Sequence, residues 1–170
     1  MRCLALILAA LGVSSCGYHV AGTGGVMPQT VHTIAVQAFT NRTIRYQLAK
    51  NLPADIGREF IERTRYKIVT DPLAADAVLS GEVVNFYSGA IVVDQASGRA
   101  TVMQASAFLR ITLTERATGK VLFSRPLFEA RERYEISVSP QAYFDESSAG
   151  MARLSRDVAR DVVTSILENF

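Results

Sequence analysis

Met103-Gln104-Ala105-Ser106-Ala107-Phe108-Leu109-Arg110-Ile111-Thr112-Leu113-Thr114 is the stretch whose reading decides the fold. Met103, Ala105, Ala107, Leu109, Ile111 and Leu113 alternate with Gln104, Ser106, Arg110, Thr112 and Thr114. Successive side chains of a strand point to opposite faces, so period two over this length specifies a strand with one buried face. On its N-terminal side, residues Ala77 to Val93 are rich in Val, Ile, Phe and Tyr, and Gln95-Ala96-Ser97-Gly98-Arg99 supplies a turn. The two segments therefore make a hairpin, with arms of roughly 16 residues, or about 50 Å, against a usual strand of five or six. On the C-terminal side, Ala117-Thr118-Gly119-Lys120 is a second turn and Val121 to Tyr134 a third strand. Pro126 within it argues for an edge or a bulge, because proline cannot donate to a ladder.

Upstream, Val31 to Ala38 reads as a strand with Ile34, Val36 and Ala38 on one face. Residues 39–43 break it and offer Thr43 as a helix cap. Leu48, Leu52, Ile56 and Phe60 recur every four residues, with Arg58, Glu59, Glu62 and Arg63 outside that stripe, as in an amphipathic helix. Pro53 removes one donor and crowds Ala49, which predicts a kink or restart. A short strand over 66–69 stops at Asp71-Pro72. Downstream, 136–145 reads as a loop containing Pro140. A closing helix over about 146–169 carries Met151, Leu154, Val158, Val162 and Ile166 on one face. The order is β-α-β-β-β-β-α, with a crossover that favours parallel pairing of the first two strands. The expected fold is α+β: a two-layer sandwich, two helices on one face of a mixed four- to five-stranded sheet with a long β-hairpin.

The chain opens with Met1-Arg2 and an apolar run from Cys3 to Val13. Eleven residues are too few for a membrane-spanning helix, which needs roughly 20, but suit the core of a signal peptide. Val13-Ser14-Ser15-Cys16 resembles the bacterial lipobox, in which the cysteine thiol is acylated and the preceding peptide removed. This reading divides the chain into a lipoprotein signal peptide (1–15), a lipidated flexible leader (16–30) rich in glycine, and a single α+β domain (31–170). Gly17, where Asp would retain a lipoprotein in the inner membrane, favours the outer membrane by the same resemblance. Cleavage leaves 155 residues, enough for one domain with a core. The 18 basic and 16 acidic side chains nearly cancel, which argues against nonspecific nucleic-acid binding. The only cysteines are Cys3, lost with the signal, and Cys16, so the mature domain depends on packing and not on disulfides.

Nothing in the sequence points to catalysis, a metal or a cofactor. His19 and His32 are the only histidines, both near the tether, and no motif brings acidic or histidine partners to them. Gly22-Thr23-Gly24-Gly25 precedes a strand and lacks the Gly-Lys-Ser/Thr of a phosphate loop. Arg153, Arg156 and Arg160, with Asp157 and Asp161 among them, read as a salt-bridged solvent face, and 131–135 as a self-compensated edge. The feature that asks for a function is the outer hairpin, where Ile91, Val92 and Val93 lie beside Val102 and Met103. Either they form a surface for a partner or for lipid, or the strand twists back onto the core.

Several segments together resemble one family. They are Cys16-Gly17-Tyr18-His19-Val20, Thr33 through Thr43, Arg58 through Tyr66, and Ala75-Asp76-Ala77-Val78-Leu79-Ser80-Gly81. The chain is similar over nearly its whole mature length to the lipopolysaccharide-assembly lipoproteins, the LptE family. That resemblance implies an outer-membrane lipoprotein, on the periplasmic face, which occupies the lumen of a large β-barrel translocon, assists its assembly and binds lipopolysaccharide. It implies no enzymatic activity. It also makes Arg99, near the hairpin tip, the candidate for the phosphorylated sugar head, since a guanidinium binds phosphate bidentately. The segment Ser137 to Asp145, where a second basic group would be sought, contains none. Ile34-Ala35-Val36 with Phe39-Thr40-Asn41 is also similar to envelope lipoproteins of related fold that activate cell-wall synthases or form secretion complexes.

Overall fold

The computed structural model describes residues 27–95, 98–136 and 140–169, apart from the side chains of 140–145. The proposed signal peptide, Cys16, His19 and the leader up to residue 26 lie outside the described residues, as do Ala96 and Ser97 of the first turn. The elements run β1 (Thr33–Val36), β2 (Thr40–Asn41), α1 (Tyr46–Arg63), β3 (Lys67–Val69), a 3₁₀ turn (Pro72–Ala74), β4 (Ala77–Val93), β5 (Ala100–Glu115), β6 (Val121–Glu135) and α2 (Pro140–Glu168). They form one six-stranded mixed sheet in the order β3-β1-β4-β5-β6, with β2 beside β4. β1 pairs in parallel with β3 and β4, and the β4–β5–β6 meander is antiparallel. This is the expected α+β arrangement, with the two-residue β2 as an additional strand.

The apolar stripes of both helices join one core with the sheet. Leu48, Leu52, Ile56 and Phe60 of α1 and Leu154, Val158, Val162 and Ile166 of α2 are buried against Ile34, Leu79, Val83, Leu109, Ile111 and Leu113. Each such side chain contributes on the order of 1.5–3 kcal/mol when fully removed from water. The helices are also joined by polar contacts: Ser155 Oγ donates to Asp55 Oδ2 at 2.5 Å, and Arg63 donates to Thr164 Oγ1 at 2.6 Å.

Several expectations need correction. β1 ends at Val36, and Ala38 is exposed, because the chain leaves the sheet there to lay the Phe39 ring over Gly81. A Cβ at Gly81 would lie 2.0 Å from that ring, so the close approach requires glycine. Thr43 does not cap α1. Its hydroxyl accepts from the Arg45 N–H in the preceding turn, and the helix starts after Arg45 with no side-chain cap. Pro53 lies inside α1 without dividing it, since the buried stripe holds both halves against the sheet. The last helix begins at Pro140, at the first helical position, where the missing proline N–H costs nothing. The expected loop is correspondingly shorter. Met27, read as leader, is buried in the core, and Val31 N–H bonds the Pro28 carbonyl at 2.8 Å. Pro126 sits on the edge strand and also in a bulge, where the four residues from Arg125 to Phe128 lie opposite the three from Leu109 to Ile111.

Candidate functional site

The site lies at the distal end of the meander, away from β1. β4 and β5 remain paired as far as Val93 and Ala100, and β6 follows β5 out to the Val102–Glu135 pair. The long hairpin is therefore a three-stranded ribbon. Ile91, Val92 and Val93 are 45%, 48% and 49% exposed, so this end does not fold back onto the core. Register shifts between Ala90 and Val92, and between Val92 and Val93, bend the strand where these residues turn to solvent. In the turn, Asp94 N–H donates to the Arg99 carbonyl and Gly98 N–H to the Asp94 carbonyl, both at 2.8 Å. Gly98 has φ +65°, a left-handed conformation that favours glycine. Arg99 follows it, exposed, with no hydrogen bond or ion pair for its guanidinium among the described residues. Ile91, Val92, Val93 and Arg99 thus converge on one tip.

The other turn repeats this construction. Asp94-Gln95-Ala96-Ser97-Gly98-Arg99 and Glu115-Arg116-Ala117-Thr118-Gly119-Lys120 share the order acid, any residue, Ala, hydroxyl, Gly, base. Glu115 N–H donates to the Lys120 carbonyl and Gly119 N–H to the Glu115 carbonyl, with φ +71° at Gly119. Thr30 Oγ1 also bonds Glu115, so the N-terminal chain enters beside this turn, at the end of β5 opposite Arg99. Hydrogen bonds from Thr118 and Thr30 hold the Glu115 carboxyl below the ordinary glutamate range.

A groove that the sequence did not reveal lies behind the tip, lined by Arg45, Gln47, Phe86, Ser88, Tyr134 and Met151. The Arg45 guanidinium stands 6.0 Å from the Phe86 ring centroid, and the Ser88 and Tyr134 hydroxyls are 3.3 Å apart. Ile44 and Tyr46, at the mouth of the adjoining cleft, are 94% and 66% exposed. The available signal was Arg45 at the N-cap of a helix whose first turn carries no acid. Thr43 obscures that signal by offering a cap-type hydroxyl two residues earlier.

Several charges elsewhere are paired, across elements or within one. Glu82 on β4 is held by Arg42 and by Arg110, the latter at 2.8 Å. Arg153 of α2 bonds Glu132 of β6 at 2.6 Å and so departs from the expected helix face, while Arg160 and Asp157 pair within the helix. Glu129 raises the pKa of Arg131 through a 2.7 Å hydrogen bond. Such exposed pairs add little net stability. His32 is exposed, and its N–H donates to Asp76 Oδ2 at 2.9 Å. Among the described residues no cluster of three potential metal ligands occurs, and no helix is long and apolar enough to cross a membrane.

The fold is an α+β sandwich that gathers the exposed β-branched side chains Ile91, Val92 and Val93 and the exposed Arg99 at one end of its sheet. The LptE family model, described as lipopolysaccharide assembly, matches residues 31–168, and the chain belongs to that family. Solved structures of similar fold include protein XCC0632 from Xanthomonas campestris, with 16% identity, TM-score 0.56 and coverage of 85% of this chain and 88% of that one. Rare lipoprotein B from Shewanella oneidensis has 15% identity and TM-score 0.52, covering 79% and 92%. A PelC dodecamer from Paraburkholderia phytofirmans has 16% identity and TM-score 0.53, covering 87% and 96%. No curated protein sequence matches the chain.

Proposed function

We propose that this chain is an outer-membrane lipoprotein, anchored through lipid on Cys16 at the periplasmic face. In this reading it plugs a large β-barrel lipopolysaccharide translocon and assists its assembly. The observation that carries the reading is the distal tip, where Ile91, Val92 and Val93 are about half exposed beside Arg99. The apolar residues suit a barrel wall or acyl chains, and the guanidinium suits the phosphorylated sugar of lipopolysaccharide. Family membership and the fold of several lipoproteins support the same assignment.

Expression of the full precursor in a Gram-negative cell, followed by mild detergent extraction and mass spectrometry, tests it. The expected result is a stoichiometric outer-membrane β-barrel that co-purifies, with an acyl group on Cys16 that Cys16→Ser removes. Arg99→Glu should keep the barrel and weaken lipopolysaccharide binding about tenfold, the scale of one charge-assisted contact. Recovery of a cell-wall synthase, or of the lipoprotein alone, overturns the barrel assignment.

A further inference from the structure

The distal half of β4 has an open backbone edge. β1 and β2 run beside β4 only as far as the Asn41–Val83 pair, and the last bond on that side is Arg42 N–H to the Val83 carbonyl, at 3.0 Å. From Asn85 to Val93, among the described residues, β4 is paired only with β5. Residues of a strand that share a face turn their backbone groups the same way. The core-facing residues Leu79 and Val83 turn their carbonyls toward β1 and Arg42, away from β5. A bulge after Val83 restarts the alternation, so that Phe86 packs toward the core and the Ser88 hydroxyl meets Tyr134. The backbone groups of Phe86, Ser88 and Ala90 therefore face outward. The Asn85 side chain accepts from the Phe86 N–H at 2.8 Å, which agrees with this direction. The N–H and C=O groups of Ser88 and Ala90 remain for a partner.

An exposed edge is ordinarily defended by charge or proline. The opposite edge, β6, has Pro126 with Glu129, Arg131 and Arg133. The segment 85–93 has no charged residue and no proline. Of the ten exposed large apolar side chains among the described residues, four lie on it, Tyr87, Ile91, Val92 and Val93, and two more, Ile44 and Tyr46, adjoin Arg45, whose guanidinium stands over Phe86. The bulges after Ala90 limit the straight part to 85–90, the length of an ordinary short strand.

We infer that β4 takes up an extended, uncharged segment of about five or six residues from the β-barrel partner, which adds to the sheet as a seventh strand along 85–90. This rests on the barrel reading above and names how the barrel is held. The commitment to a polypeptide strand follows from the free main-chain groups, which neither a lipid chain nor a sugar satisfies in alternation. The commitment to an uncharged segment follows from the strand itself, which carries no charge to match it, while the neighbouring Arg45 guanidinium stands over the Phe86 ring.

The test uses the full lipoprotein co-expressed with its barrel. A photo-cross-linking amino acid is placed at Tyr87 and at Ala90, one on each face beside the edge, and at Leu127 on β6 as control. Cross-links to one short barrel segment from the first two sites, and none from the third, are expected. Ala90→Pro removes an outward N–H and leaves the β4–β5 bonds in place. It should cut barrel recovery at least tenfold while the melting curve of the purified chain is unchanged. If that variant does not fold, the cross-links decide alone. A barrel that co-purifies without cross-links at 87 and 90 sinks the edge proposal and leaves the barrel reading intact. Cross-links between two copies of this chain also overturn it. Recovery of no barrel removes both.

Discussion

Asp76 fastens the start of β1 to the start of β4. Its carboxylate accepts the His32 N–H and the Thr33 N–H, each at 2.9 Å, and the Thr33 hydroxyl at 2.8 Å. The His32 N–H bond, then the two from Thr33, hold its pKa below the ordinary aspartate value. A carboxyl whose folded pKa is depressed stabilises the fold fully above its unfolded pKa, about 3.9, and loses that contribution as pH falls through the lower folded value. Asp76→Asn should therefore show a shallower fall in urea midpoint than the native chain as pH drops below about 4; identical slopes would refute this. Asp76→Ala at neutral pH should cost about 1 kcal/mol, the scale of a lost cap-type hydrogen bond. At this scale the sequence was partly legible. Asp76 and Gly81 stood within a stretch that carried the family resemblance, as did Phe39. The reason Gly81 must be glycine was hidden, because the ring that presses on it comes from 42 residues earlier in the chain. Pattern along a chain does not report such a contact.

Strands and helices were legible wherever one periodicity ran unopposed. β4 was read with its observed limits, and the alternation in β5 identified the strand that lies between two antiparallel neighbours. Limits failed where a proline suggested two roles. Pro53 suggests a kink or a restart, and the helix runs on through it without a restart; Pro140 suggests a loop and opens α2. Of the edges, β6 was legible through Pro126, but the open half of β4 was not, since neighbours in a sheet are a tertiary fact. They carry a prediction of their own. The amides of Tyr87 and Gly89 bond across to β5, while those of Ser88 and Ala90 face solvent in the isolated chain. Hydrogen exchange followed by NMR should show fast exchange at Ser88 and Ala90 and protection at Tyr87 and Gly89. Uniform protection along 85–90 would mean the edge is already covered.

The whole molecule has two ends that carry different groups. The Thr30–Glu115 bond places the N-terminal chain at one end, and the 16 residues of β5 put Arg99 about 50 Å away at the other. On a bilayer carrying the lipidated chain, a quencher in the lipid should dim a fluorophore at residue 120 more than one at residue 99. The reverse order would require the domain to lie upside down on its tether. Chain order adds a matter of timing. β1 sits between β3 and β4, pairing Ile34 with Ile68 and with Ala77, and neither partner exists when β1 is made. At about 5–20 residues per second, Ile34 and Ala35 wait roughly 2 to 9 seconds for β4 to be synthesised. Throughout that interval the first strand is an apolar segment without its sheet partners, so a chain of this fold that emerges N-terminus first must be kept from pairing elsewhere until β4 follows it.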